Sequence, residues 1–513
     1  MRRRANRIGI LLALLVVGPT VAQAQTASIA GVVKDSTGGV MPGVSVEAAS
    51  PALIEKVRTA TTDSSGQYKI IDLQPGTYTV TFVLPGFNTV KREGIVLTSD
   101  FTAAVNADLR VGEVAETVTV TGESPLIDTQ SVTQRKSLTH ETIDALPTGR
   151  SFQNLSVLVP GVSIALASQD VGGTGGDRYQ TLSVHGSRSD QMPLVMNGMP
   201  FNNMNNTGGG YNTTLVVNTG TVQEMAVTTS GLTAEARSSG VLTNIIPKEG
   251  GNSYRGYFYT NYAGTGLQSD NLTSDLFNQG LKAVNKVKKL WDLNPVVGGP
   301  IVQDKLWFLA GFRYNGAQSY LAGMFQNLRP DAPQYCVTAS GCSYGDAFHP
   351  TTLVPNSQDL SNQAVGGDTW TRGETVNLTW QATQKNKVTF FSHFNQRLVD
   401  CNQCSALNSP EAGVYFTHSP EYLLQSSWTN PYTNKLLFEG GFTFYNDDTL
   451  GVTTSGLALD LEGMFVFKLF EHFAVIAGGV IDIGLTGSAS AGGVSVDDRI
   501  SNFGVRAGLM SWL

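Results

Sequence analysis

The chain has 513 residues, 56 of them glycine, with 15% charged residues and a formal net charge of −7. That length allows about three domains. The acidic balance leaves no basic footprint for nucleic acid, and the wealth of Thr, Val, Tyr, Phe, Asn and Gly with few helical patterns predicts a mainly β chain.

The N-terminus reads as an export signal. MRRRANR is a basic opening, Ile8 to Val17 is an apolar run broken only by Gly9, and Ala22-Gln23-Ala24 is a small-x-small site. Cleavage is therefore expected between Ala24 and Gln25. The apolar run falls well short of the ~20 residues that a membrane-spanning helix needs, and no later run has that length. An exported soluble protein and an outer-membrane β-barrel, whose strands alternate instead, both remain open.

From residue 26 to 110, short alternating strands are separated by turns. Tyr78, Val80 and Phe82 alternate with Thr77, Thr79 and Thr81, the pattern of a strand with one buried face. Asp63-Ser-Ser-Gly66 and Gln74-Pro75-Gly76 are turn chemistry. The expectation is a β-sandwich of about seven strands. The G-x-V-x-D pattern at Gly31, the PGV at Pro42 and TDSSGQY…LQPGTYTV from Thr62 to Val80 resemble the carboxypeptidase regulatory-like domain. That resemblance implies a transthyretin-like or carbohydrate-binding-like sandwich acting as a spacer or docking module.

Residues 111–250 form a second unit. Glu116-Thr117-Val118-Thr119-Val120 is a short extended segment, readable as a linker or as a strand that another protein could capture by edge pairing. His140–Pro147 and Ser151–Gly161 read as short helices ended by Pro and Gly. Leu182–Gly186, Val222–Thr228 and Val241–Ile246 read as strands, with Asn197-Gly198 at a turn. LPTGRSFQNLSVLVPGV (Leu146–Val162), VHGSRSDQMPLVMNGMPFNN (Val184–Asn203) and VQEMAVTTSGLTAEARSSGVLTNIIPKEGGNSYRGY (from Val222) resemble the plug of TonB-dependent receptors. The preceding sandwich places the resemblance with the Oar-like subgroup. It implies an α+β plug inside a barrel. It also implies that Glu116, Thr117, Val118, Thr119 and Val120 are the TonB box, pulled by a periplasmic TonB-type energy-coupling protein.

From residue 252 the pattern becomes that of a membrane wall. Ten strands are expected, near 253–263, 288–300, 304–316, 369–383, 386–399, 422–431, 435–446, 456–469, 473–485 and 500–513. Tyr254, Phe258 and Tyr262 fall on one face of the first. Val376, Leu378 and Trp380 alternate with Asn377, Thr379 and Gln381, as an apolar lipid-facing row beside a polar lumen row requires. Connectors alternate long and short, with 264–287, 317–368 and 400–421 as outer loops. Cys336, Cys342, Cys401 and Cys404 fall in those loops, and an even count in an exported protein predicts disulfides. VVGGPIVQDKLWFLAGFRYN (Val296–Asn315) resembles the first receptor-type strands, over 252–447. Residues 456–513 look more like the closing strands of a small barrel. Ten strands enclose far less than the about 22 of plugged transporters, so an incomplete antiparallel transmembrane β-barrel is expected.

No catalytic constellation, cofactor motif or metal set stands out. His418-Ser-Pro-Glu421 is an H-x-x-E, but zinc needs a third ligand and only His472 follows. GGTGGD at Gly172–Asp177 lacks the Lys-Ser/Thr of a phosphate loop. The resemblance implies a non-enzymatic outer-membrane receptor or transporter. It would bind an extracellular glycan, peptide or metal chelate and import it by plug movement, with outer-membrane lipid as its surroundings. A surface-binding or adhesion protein without transport is the alternative.

Overall fold

The computed structural model describes residues 27–53, 56–99, 101–112, 117–121, 133–164, 181–188, 192–201, 215–232, 240–269, 271–281, 284–325, 335–338, 341–343, 363–402, 414–433, 436–449, 452–470, 473–491, 494–498 and 501–511. For 117–121, the far ends of several wall strands and everything after residue 446, the description is of the backbone.

The first unit is a two-sheet sandwich. β1 (Ala27–Asp35) pairs with β4 (Gln67–Leu73), β7 (Thr102–Ala104) and β8 (Ala107–Leu109). The second sheet runs β3 (Val57–Thr61), β2 (Ser45–Ala49), β5 (Gly76–Val83), β6 (Thr89–Leu97) and β9 (Thr117–Thr121). The alternation in β5 works as expected: Tyr78, Val80 and Phe82 are fully buried with Ile29, Leu73 and Leu109, each large side chain contributing about 1.5–3 kcal/mol by leaving water. The phenols that enter this core are satisfied, Tyr68 donating to Val105 O (2.7 Å) and Tyr78 to Gln74 O (2.7 Å). The motif residues have local causes. Asp35 accepts from the backbone N–H of Thr37 and Gly39 (both 2.8 Å) and so closes the first turn. A side chain on Gly31 would run into the Val105 carbonyl of the neighbouring strand connection. β9 lies beyond the segment that the sequence pattern groups with the sandwich, and it completes the sandwich sheet.

The second unit is α+β. Its sheet runs β10 (Gln134–Thr139), β15 (Val222–Ser230), β16 (Leu242–Pro247), β13 (Leu194–Met196) and β14 (Met199–Pro200), with β11 (Val162–Ile164) and β12 (Leu182–Val184) as a separate pair. Helix α1 (His140–Ala145) starts at Thr139, whose side chain accepts from Thr142 N; α2 (Phe152–Ser156) starts at Ser151, which accepts from Asn154 N. Such caps satisfy otherwise orphaned N–H groups. Asn197 (φ 51°) and Gly198 (φ 77°) make the two-residue left-handed turn between β13 and β14.

The third unit is an antiparallel wall in the order β17 (Arg255–Gly264), β18 (Lys286–Val302), β19 (Leu306–Phe325), β22 (Gln363–Gln381), β23 (Lys387–Asn402), β24 (Val414–Thr433), β25 (Leu436–Thr449), β26 (Val452–Phe470), β27 (Phe473–Ala491) and β28 (Val494–Asp498), with β29 (Ser501–Ser511) also on β27. A short helix α3 (Ser274–Asn278) lies between β17 and β18, and a hairpin of β20 (Tyr335–Thr338) and β21 (Gly341–Ser343) between β19 and β22. All ten expected strands are present, and β28 is additional. Several run further outward than their apolar alternation. β19 reaches Phe325 and β22 starts at Gln363, so the loop expected over 317–368 is shorter. Backbone pairing continues past the stretch where apolar and polar side chains alternate. Among the described residues β17 does not pair with β29, so the wall is an open, incomplete barrel.

Candidate functional site

The wall has two chemically different faces. On β22, Val376 and Trp380 are 39% and 51% exposed, while Asn377 and Thr379 between and beside them are 3% and 0% exposed. Tyr254, just before β17, and Phe258 and Tyr262 on it are exposed as one row. The polar row is buried because the α+β unit sits against it. The wall donates to that unit's backbone: Asn377 Nδ2 to Lys248 O (2.8 Å), His393 Nε2 against Val216 O (3.1 Å) and Arg313 Nη1 to Arg150 O (3.4 Å). Arg313 is held by Asp292 (2.8 Å), and Asn294 donates to Asn218 Oδ1 (2.8 Å). Apolar contact is local: Phe391, Leu423 and Tyr445 of the wall join the core made by Leu155, Leu194, Phe201 and Val227.

A charged cluster ties the first wall strand to this unit. Arg150 Nη1 donates to Asp144 Oδ1 (3.0 Å) and to Tyr257 OH (2.9 Å), and its guanidinium stacks 3.6 Å from the Tyr259 ring centre. Tyr257 OH donates to Asp144 Oδ1 (2.8 Å). Lys248 Nζ lies 2.7 Å from His140 Nε2 and donates to Gly220 O (3.0 Å), while the same His140 Nε2 lies 3.0 Å from Asp144 Oδ2. One ring nitrogen cannot accept from Lys248 and donate to Asp144 at once, so the site holds alternative proton arrangements. Burial pushes Lys248 down to about 8. Burial, then the Lys248 charge, pushes His140 below its ordinary value.

The sandwich is docked on both neighbours. The buried Glu224 carboxylate of β15 accepts from Ser99 N (3.1 Å) and Ser99 Oγ (2.7 Å). Glu249, just past β16, pairs with Lys387 of the wall (2.9 Å) and accepts from Gln74 Nε2 of the sandwich (3.3 Å).

The sequence-predicted residues fall as follows. Thr117, Val118, Thr119 and Val120 lie in β9, paired in parallel with β6; Glu116 is outside the described residues, as are Ala24, Gln25 and the stretch 172–177. Backbone register sets Cys336 opposite Cys342 in the β20–β21 hairpin. Cys401 lies in β23, and Cys404 is outside the described residues. Glu421 of the H-x-x-E accepts from Asn395 inside the wall. The cluster around His140 and the Glu224 and Glu249 docking contacts carry no local sequence signal, since their partners lie up to 175 residues away.

Residues 28–110 match the carboxypeptidase regulatory-like domain, and residues 127–241 match the TonB-dependent receptor plug domain. The α+β unit is a TonB-dependent receptor plug. The chain is 29% identical over 322 residues to the TonB-dependent transporter Oar of Myxococcus xanthus, a match that covers 61% of this chain and 29% of that relative. Solved structures that the chain resembles include the siderophore receptor PirA from Pseudomonas aeruginosa (13% identity, TM-score 0.45, covering 73% of this chain and 55% of that one). Another is PirA from Acinetobacter baumannii (14%, 0.46, 74% and 59%). The chain thus spans under a third of the length of its Myxococcus relative and a little over half of these receptors.

Proposed function

We propose that the chain acts as an outer-membrane TonB-dependent receptor or transporter, exported by its N-terminal signal, that binds an extracellular ligand and imports it by movement of the plug. The observation that carries this reading is the seating of the plug. Among the described residues, a polar row of the wall hydrogen-bonds to it, as Asn377 does to Lys248 O and His393 to Val216 O. Water can replace such bonds at a net cost of about 0.5–1.5 kcal/mol each, so a plug held this way can shift under a modest pull. The exposed apolar row on the other face suits lipid. Glu116 to Val120 is the coupling segment, read by a TonB-type protein of the periplasm through strand pairing. The ligand is of the glycan, peptide or metal-chelate class, met by the outer loops. Cys336 with Cys342 across the β20–β21 hairpin, and Cys401 near the end of β23 with Cys404, are the disulfides we propose.

The test is binding of the purified periplasmic domain of the host's TonB-type protein to the full chain isolated from outer membranes. Saturable binding that disappears when Glu116–Val120 is deleted is the expected result. Undiminished binding after the deletion removes the coupling role of this segment.

A further inference from the structure

The segment Thr117–Thr121 is not a free tether. As β9 it forms the last strand of the sandwich sheet, with Thr89↔Thr117, Val90↔Val118, Lys91↔Thr119, Arg92↔Val120 and Glu93↔Thr121 in parallel register. Its approach is pinned as well. Phe87 bridges Val111, Asn88 N donates to Arg110 O (2.9 Å) and Gly112 N to Gly86 O (3.2 Å). Without β9, Thr89–Glu93 would be an open sheet edge, the kind of surface that recruits a strand.

The sandwich that holds this strand is itself held twice. Ser99 fixes it to the plug through Glu224, and Gln74 meets Glu249, which is paired to Lys387 of the wall. A segment tied to a body that is anchored on both the movable plug and the fixed wall cannot be drawn away from either. Main-chain groups bonded to β6 are also closed to any other strand.

We propose that the β6 edge is a strand-docking site that keeps the coupling segment masked, and that the periplasmic coupling protein competes with β6 for it. The sandwich is then an autoinhibitory holder, and release of β9 precedes any pull on the plug. This rests on the reading of Glu116–Val120 as the coupling segment.

The experiment places cysteines at two register partners, Lys91→Cys with Thr119→Cys, in the full chain, and forms the bridge by mild oxidation. Peptide mapping reports the bond. The probe is the periplasmic domain of the host's TonB-type protein, with the chain lacking the two new cysteines as the control for oxidation and reduction. Locking is expected to weaken binding at least tenfold, with recovery on reduction. In the unlocked chain, those amides of Thr89–Glu93 that point to β9 rather than to β5 are expected to exchange faster when the probe binds. Thiols at 91 and 119 that do not bridge, a locked chain that binds as well as the reduced one, or β9-facing amides of Thr89–Glu93 that stay protected each overturn the proposal. The last two would mean that the probe adds to the outer edge of β9. If deletion of Glu116–Val120 leaves probe binding intact, the coupling-segment reading itself fails. If the deletion abolishes binding but the lock does nothing, only the masking fails.

Discussion

Replacing Glu224 by alanine should undock the sandwich from the plug without unfolding either. Glu224 is fully buried on β15, and its carboxylate receives two donors from Ser99, the amide at 3.1 Å and the hydroxyl at 2.7 Å. Hydrogen bonds to a charged group contribute about 1.5–3 kcal/mol each. The hydroxyl can turn to another acceptor, but the Ser99 amide cannot, and a buried amide without a partner costs about 1–3 kcal/mol. Removing the carboxylate also relieves its own burial cost, so the net loss of docking is about 2 kcal/mol, or roughly 30-fold in the docked population. Hydrogen exchange reads this directly. The Ser99 amide should lose about 30-fold of its protection, while amides of β5 in the sandwich core stay as protected as before. Unchanged exchange at Ser99 refutes the docking role. Faster exchange spread equally over β5 shows that the substitution unfolds the sandwich, which refutes the account of Glu224 as a surface-to-surface contact.

The His140–Lys248 cluster should make stability rise with pH. Lys248 is pushed down to about 8 from its usual 10.5, so between those values the unfolded chain binds more protons and stability increases with pH. His140 is also depressed from 6.5 and adds a rise below that pH, complete once the unfolded imidazole has lost its proton. Lys248→Met should flatten the alkaline rise in melting temperature and His140→Gln the acidic one; curves of unchanged shape count against the cluster. Gly311 of the wall faces the plug, and a Cβ there lies 2.5 Å from Thr221 Cγ2 and 3.2 Å from Asn218 Nδ2. Gly311→Ala should therefore cost about 1–3 kcal/mol by overpacking. Adding Thr221→Ser, which removes the methyl but keeps the hydroxyl bond to Asn218 O, should restore part of the loss in thermal melts; no loss, or no rescue, contradicts the close approach.

What the sequence disclosed and what it hid divide along a physical line. Alternation is a local property, so Val376 and Trp380 could be assigned to one face and Asn377 and Thr379 to the other before any coordinates. Turn chemistry is local too, and Asn197-Gly198 and Asp63–Gly66 behave as their residue types require. Beyond the alternating stretch, toward Phe325 in β19 and Gln363 in β22, the strands continue on backbone pairing and the pattern fades. Docking contacts are hidden for a different reason. A buried acid such as Glu224 is legible only beside its partner, and Ser99 lies 125 residues away.

The same distinction bears on β9. Thr-Val-Thr-Val-Thr announces an extended strand but not its neighbour, and a strand with unpaired main-chain groups in water is open to whichever edge reaches it. β6 reaches it first because residues 110–112 are already bonded to 86–88. That tether keeps the local concentration of β9 at the β6 edge high, and any external strand has to compete against it. On the proposed reading of Glu116–Val120 as the coupling segment, weakening the β6 edge should ease its capture even with Thr117–Thr121 left untouched.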